Sequence, residues 1–174
     1  MGYKLTWIYV WQTKVRPTEV LTENVIPLMS ADSQDGYIAT SSALLWTSDH
    51  PYDCFDGDIL TRIHSINLWR WNWGYSQIQM PINVKVTKLT VTSRAEDRNR
   101  PQYPSEFYLE GSNDWTNWTN IWTTITPWFT AIGQTKSWDI TWETDSYSYI
   151  KLNIQAGSTG YRAIAEWNID WWVS

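Results

Sequence analysis

The stretch from residue 106 to residue 122 constrains the fold of this chain more than any other. It reads Glu-Phe-Tyr-Leu-Glu-Gly-Ser-Asn-Asp-Trp-Thr-Asn-Trp-Thr-Asn-Ile-Trp. The run from Phe107 to Leu109 is typical of a half-buried strand. Gly-Ser-Asn-Asp then supplies a residue that tolerates positive φ and side chains that hydrogen-bond their own backbone, as a tight turn requires. The apolar run resumes at Trp115, Trp118, Ile121 and Trp122. The stretch therefore predicts a strand, a tight reversal and a second strand.

The composition limits the classes of partner. The chain has 174 residues, enough for one domain with a sizeable core, and a net charge of −5. An acidic chain lacks the basic stripe that nucleic acid or an anionic membrane surface requires, so we expect neither partner. No apolar run is long enough to cross a bilayer. Cys54 is the only cysteine, which excludes an internal disulfide and predicts a small buried apolar side chain.

Tryptophan and tyrosine are unusually abundant, with 15 Trp and 10 Tyr against 3 Phe. Both residue types favour positions that are partly apolar and partly wet. Many of them are therefore expected at the surface, where they can stack on flat ligands or pack against another subunit. The alternative is that a core with few leucines uses tryptophan as filler.

Period-two alternation predicts further strands along most of the chain. Residues 3–11 alternate and form a leader that is either a docking arm or an added edge strand. In 80–94 the apolar phase slips by one residue, which predicts a β-bulge near Thr87 or Lys88. Consecutive large apolar residues at 44–46 are either a plug for the end of the fold or an exposed spike, and the plug is favoured. The other strand predictions are 24–29, 36–42, 119–125, 137–142 and 148–154, with Gln155–Tyr161 as a loop, and Trp69, Trp71 and Trp73 form a cluster before 80–94.

Three motifs carry a resemblance to a known family. They are Leu109–Asp114 followed by Asn-Trp, Pro51–Thr61, and Ala163–Ile169. In this order and spacing they resemble the discoidin, or coagulation-factor type C, domain, and microbial carbohydrate-binding modules in particular. The resemblance implies an all-β, galactose-binding-like jelly-roll sandwich over residues 24–174, preceded by a leader over residues 1–23. More weakly, the leader resembles structural proteins from bacteriophages of gut bacteria.

A calcium site is implied by the second and third motifs. Carried over from the family, the carboxylates of Asp56 and Asp58, the backbone carbonyl of Asp53 and an oxygen of Thr61 would bind the ion, and Glu166 would complete the shell from the far end of the chain. Such an oxygen-rich set suits Ca²⁺, which takes six to eight oxygen ligands. The expected role is structural, although Asp-Gly-Asp is also an ordinary turn.

A sugar site is implied by the segment after strand 80–94. The resemblance places Arg94 and Asn99 at positions that hydrogen-bond a sugar, with His50 nearby and Tyr161 or Trp46 as an aromatic platform. Guanidinium and carboxamide groups suit paired hydroxyls because each offers a planar set of polar atoms. A solvated charged loop is the competing interpretation of residues 95–104.

These observations predict a non-catalytic binding protein. The sequence shows no nucleophile–base arrangement with recognisable context and no Gly-rich phosphate loop. Paired carboxylates for glycosidic chemistry stay open, although the candidates are assigned to calcium. We recognise no signal peptide, so we expect export after signal removal or within a virus particle.

The favoured role is a virion protein, from a phage capsid decoration or tail fibre, that recognises cell-surface carbohydrate in the virion or outside the cell. The alternatives are a purely structural virion protein that contacts other virion subunits or itself, or a module from a secreted bacterial glycoside hydrolase.

Overall fold

The computed structural model describes residues 21–22, 26–42, 44, 48–66, 74–95, 104–143, 145–157 and 161–172. The predictions for residues 3–11, for Trp69, Trp71 and Trp73, and for Leu45 and Trp46 lie outside this range. In the described part the strands are β1 (Leu21–Thr22), β2 (Ser33–Gln34), β3 (Tyr37–Ser41), β4 (Ile63–Ile66), β5 (Gly74–Ser93), β6 (Pro104–Ser112), β7 (Thr119–Ile125), β8 (Thr135–Asp139), β9 (Tyr147–Gly157) and β10 (Tyr161–Trp172). One turn of 3₁₀ helix covers Pro51–Cys54. None of the described residues forms a helix that is long and apolar enough to cross a membrane.

The long strand β5 joins two antiparallel layers. Its first part pairs with β3 and β9, and β9 continues through β6 to β7. Its second part pairs with β10 on one side and β8 on the other. The passage between the layers occurs near Val84, after three exposed residues at 81–83. The all-β jelly-roll prediction is therefore confirmed.

The core lies between the layers and follows the predicted alternation. Ile150, Leu152 and Ile154 of β9 are buried, as are Trp167 and Ile169 of β10. At 25 cal/mol per Å² of apolar surface, each such side chain contributes about 1.5–3 kcal/mol to folding. Cys54 is fully buried, as predicted. Leu44 packs against the core, which agrees with a plug.

The predicted bulge in β5 is confirmed. Asp170 of β10 pairs with Lys88, whereas Trp171 pairs with Val86, so Thr87 has no partner of its own in β10. Val84, Val86, Leu89 and Val91 all remain buried because the extra residue restores the inward phase.

Several predicted boundaries are wrong. Residues 26–29 are not a strand: Ile26 and Met29 are buried in an irregular segment, where the amide of Met29 donates to the carbonyl of Phe55 (2.8 Å). The strand predicted at 137–142 runs from Thr135 to Asp139. The loop predicted to start at residue 155 starts later, because β9 extends to Gly157. Two residues of the predicted leader, Leu21 and Thr22, pair with β10.

The stretch from 106 to 122 forms the predicted pair β6–β7, with one correction. Trp115 and Trp118 belong to the turn rather than to the strand. The carboxylate of Asp114 accepts bonds from the amides of Thr116 (2.9 Å) and Asn117 (2.7 Å). These bonds hold the pKa of Asp114 down at about 2, so the turn stays fixed at neutral pH.

Gly111 packs directly under an aromatic ring, and its replacement tests this contact. A Cβ added at Gly111 would overlap the ring of buried Tyr147. We expect Gly111→Ala to lower the free energy of unfolding by about 1–3 kcal/mol, measured by urea unfolding, because overpacking forces ring and backbone apart. Asn120→Ala, at an exposed position of β7, is the matched control. Equal stability of the two variants would contradict the contact.

Candidate functional site

The loop from Asp53 to Thr61 gathers oxygen atoms around one hydroxyl. The Oγ1 atom of Thr61 lies 2.9 and 2.8 Å from the two carboxylate oxygens of Asp56. It also lies 2.6 Å from the carbonyl oxygen of Asp58 and 3.4 Å from that of Asp53. A hydroxyl has one proton to donate, so these four acceptors cannot all be satisfied by it. The loop thus holds more acceptors than donors.

The last strand brings a second carboxylate to this loop. Ile164 pairs with Ser93 and Glu166 pairs with Thr92, so Ala165 is an extra residue in β10. The Oε1 atom of Glu166 accepts a hydrogen bond from the amide of Gly57 (3.0 Å). The Glu166 and Asp56 carboxyl groups are also hydrogen-bonded to each other. The predicted meeting of these two residues, which are far apart in sequence, is therefore what the structure shows.

Burial and the neighbouring acid control the charge of Glu166. The pKa of Glu166 is raised to about 9. Burial is the largest cause, followed by the hydrogen bond to Asp56 and by the negative charge of Asp56. Without a cation, Glu166 is therefore protonated at neutral pH. Ionising both of two carboxyl groups in contact is unfavourable because their negative charges repel, unless a positive charge lies between them.

The donor set of this loop suits a hard cation. In the described part of the chain, no three side chains of His, Cys, Asp or Glu are arranged to hold a metal ion. The carboxylates of Asp56 and Glu166 meet here, and further oxygens come from Thr61 and from the carbonyls of Asp53 and Asp58. Carbonyl and hydroxyl oxygens are ordinary ligands of Ca²⁺. One oxygen of the Asp58 carboxylate accepts from the amide of Leu60 (2.9 Å), and the charge of this carboxylate contributes to the raised pKa of Glu166.

His50 directly precedes the turn of 3₁₀ helix, Pro51–Cys54, that leads into this loop. The buried carboxylate of Asp53 accepts from the amide of His50 (2.8 Å), so only its carbonyl faces the oxygen cluster. Burial, the largest effect on this group, raises the pKa of Asp53. The exposed ring of His50 stacks on Tyr52, with centroids 5.2 Å apart.

A cationic cluster forms around Arg94, where β5 ends. Arg94 and Arg62 are half-buried, and both lie close enough to His64 to lower its pKa. Burial comes first among the causes, and together they bring the pKa of His64 to about 4. His64 is therefore neutral at pH 7, and the two guanidinium groups carry the positive charge. His64 pairs with Ala163 of β10, and the next residue, Ile164, pairs with Ser93. His64 and Arg94 therefore lie on either side of the small Ala163, near enough for the charge of Arg94 to act on the imidazole.

The structure describes only some of the predicted sugar-binding residues. Asn99 and Trp46 lie outside the described residues. Tyr161 begins β10 opposite Ile66, but its side chain lies outside the description. The imidazole that is shown to lie beside Arg94 is that of His64, which the sequence did not single out. No local pattern identifies it, because its position depends on the pairing of β4 with β10.

A cleft of about 410 Å³ opens beside the second half of β5, around Lys85 and Lys88, and contains none of the predicted site residues. Lys88 of this cleft forms an ion pair with Asp170 (3.1 Å). The cleft is lined by Lys85, Thr87, Lys88, Asp139, Ile140, Thr141, Glu143 and Asp170.

Comparison with known proteins identifies the fold. Neither the protein-family models nor the curated proteins gave a match. Several solved structures do match this chain.

An F5/8 type C domain from Bacteroides fragilis has a TM-score of 0.65 at 14% identity, and the match covers 79% of this chain and 93% of that domain. A family 32 carbohydrate-binding module from Clostridium perfringens, in complex with GalNAc-β-1,3-galactose, has a TM-score of 0.63 at 19% identity, covering 77% and 94%. The C-terminal domain of a chitobiase from Bacteroides fragilis has a TM-score of 0.62 at 23% identity, covering 82% and 98%. The chain therefore has the discoidin-like, galactose-binding-like jelly-roll fold of F5/8 type C domains and family 32 carbohydrate-binding modules.

Proposed function

We propose that this protein is a non-catalytic carbohydrate-binding module that recognises a glycan at the end of the sandwich where Arg94 lies. The observation that carries the proposal is the pair of half-buried guanidinium groups of Arg94 and Arg62 beside the neutral His64. Guanidinium groups offer several donors in one plane, which suits the vicinal hydroxyls of a sugar. Similar structures in complex with galactose and with GalNAc-β-1,3-galactose support this ligand class.

Binding to a glycan array tests the function. The protein should be displayed in several copies, because single shallow sites bind weakly and avidity raises the signal. Galactose, GalNAc-β-1,3-galactose and a chitosan oligosaccharide are the first probes, since similar structures bind or are named for them. No binding to any glycan of the array would contradict the proposal.

Arg94→Ala should abolish this binding, and Arg94→Lys should recover only part of it because an ammonium lacks the planar set of donors. We expect at least a tenfold loss for Arg94→Ala, about 1.4 kcal/mol or more, by calorimetric titration with galactose. Lys85→Ala, which removes a partly buried cation from the cleft beside the second half of β5, is the matched control and should bind as the unchanged protein does. Equal losses in both variants would argue for a non-specific effect of charge.

We also propose that the oxygen cluster of Asp56, Thr61 and Glu166, with the carbonyls of Asp53 and Asp58, holds a structural Ca²⁺. The support is the excess of acceptors around Thr61 and the contact between two carboxyl groups. When bound, the ion would supply the positive charge that lets both carboxyl groups ionise. These residues would then tie the first long loop to the last strand.

The setting of the module remains a prediction from the sequence. We propose that it acts outside the cell or in the virion. The phage resemblance lies in residues of the leader outside the described part, whereas a module from a glycoside hydrolase agrees with the sources of several similar structures. Native mass measurement separates the two, because a virion subunit is expected to assemble and a hydrolase module to remain a monomer.

A further inference from the structure

The loop between β7 and β8 presents an exposed tryptophan. Trp128 is 75% exposed, more than any other large apolar side chain of the described residues. Its neighbours Pro127 and Phe129 are both buried and fix the loop on either side. An apolar ring this far outside the core contributes little to folding through burial, and it is accessible to a ligand.

The backbone of Trp128 is held in an unfavourable conformation. Its φ is +49°, in the left-handed region that bulky side chains rarely adopt. The ammonium of Lys136 donates a hydrogen bond to the Trp128 carbonyl (2.7 Å) and lies 5.8 Å from the centre of the Phe129 ring. Strained residues that the surroundings hold in place are concentrated at functional sites. These contacts anchor the backbone at Trp128, and the side chain of Trp128 is exposed.

Four hydrogen bonds fix the Trp128 loop to the end of β5. The amide of Gly133 donates to the carbonyl of Arg94 (2.9 Å), and the amide of Ser93 donates to the carbonyl of Gln134 (2.9 Å). The hydroxyl of Ser93 donates to the carbonyl of Ala131 (3.1 Å) and accepts from the amide of Gln134 (2.9 Å). These bonds anchor residues 131–134 of the Trp128 loop to Ser93 and Arg94, so the loop lies at the same end of the sandwich as Arg94.

We propose that Trp128 is an aromatic contact for the glycan and restricts it to pyranoses with one face made of C–H groups. This inference rests on the proposed function. A pyranose has polar edges and can have an apolar face, so it can pack that face on an indole while its hydroxyls bond to guanidinium groups. A loop whose backbone is already anchored has little further backbone freedom to lose when a sugar binds, which favours binding.

Indole N–H resonances of the isotope-labelled, full-length protein test this contact. The resonance of Trp128 is identified by its absence in Trp128→Phe, and that of Trp115 by its absence in Trp115→Phe. Trp115 is a matched control, since it is 45% exposed and has a φ of +65°, but lies in the turn between β6 and β7. On titration with galactose and GalNAc-β-1,3-galactose, we expect the Trp128 resonance to move and the Trp115 resonance to stay.

Variants separate a binding role from a structural one. Trp128→Ala should weaken galactose binding about tenfold, the effect of about 1.4 kcal/mol. Trp128→Gly should weaken it equally while raising the melting temperature, because glycine adopts positive φ without strain. A residue with a purely structural role would not change the two properties in opposite directions.

Three outcomes would overturn the inference. If Arg94→Ala loses binding while Trp128→Ala binds as the unchanged protein does, Trp128 is not a contact and the proposed function stands. If the unchanged protein binds no glycan of the array, both proposals fail. If the Trp128 resonance moves with protein concentration and not with sugar, the ring belongs to an interface between copies.

Discussion

Glu166→Gln should stabilise the metal-free protein at pH 8 and abolish its stabilisation by calcium. In the folded state the pKa of Glu166 is about 9, against an ordinary value of 4.5. Between these values the unfolded chain releases a proton that the folded chain keeps, so the free energy of unfolding falls as pH rises. The slope is at most about 1.4 kcal/mol per pH unit, and partial exposure of Glu166 reduces it. Glutamine has no proton to release in this range, so the variant does not lose this part of the free energy of unfolding as pH rises.

Thermal melts at pH 5 and pH 8, each with chelator or with calcium, measure this effect. With chelator, the unchanged protein should melt lower at pH 8 than at pH 5, whereas Glu166→Gln should melt alike at both. With calcium, the unchanged protein should instead melt higher at pH 8 than at pH 5, because ionised carboxylates bind the cation and protonated ones do not. Asp139→Asn, which removes an exposed carboxylate in β8, is the control. A melting temperature that responds to neither pH nor calcium would remove the metal proposal.

Trp167→Ala should produce the largest loss of stability. Trp167 is 1% exposed, meets the edge of Phe55 at a centroid distance of 5.0 Å, and donates from Nε1 to the hydroxyl of buried Ser76 (2.8 Å). Truncation leaves a cavity and an unpaired hydroxyl between β10 and β5. We expect a loss of about 3–5 kcal/mol in the free energy of unfolding, measured by urea unfolding.

Trp167→Phe separates packing from hydrogen bonding. It keeps a ring against Phe55 and loses the bond to Ser76, so the expected cost is smaller, about 1–3 kcal/mol for the unpaired group. Because Trp167 follows Glu166 directly, Trp167→Ala should also weaken the response to calcium. An alanine variant as stable as the phenylalanine variant would show that the site collapses around the smaller side chain.

Prediction from local sequence succeeded where the buried residues of a strand are those that its alternation of apolar and polar residues indicates. The β6–β7 pair, the bulge at Thr87 and the inward face of β9 were all predicted from period-two patterns and turn residues. Such prediction failed at residues 26–29, where Ile26 and Met29 are buried without forming a strand, because burial needs a neighbouring core and not a sheet partner. It also failed at Trp115, whose turn overrides the preference of tryptophan for strands.

The sequence by itself determined the all-β class, the acidic surface charge, the burial of the lone Cys54 and the oxygen-rich composition of the loop from Asp53 to Thr61. Each of these depends on composition or on residues close together in the chain. Only the tertiary structure decided that His64 lies beside Arg94 and that the loop of Trp128 is fixed to the end of β5. Such contacts depend on which strands pair and in what register, and that choice is made by the packing of the whole core rather than by any one segment.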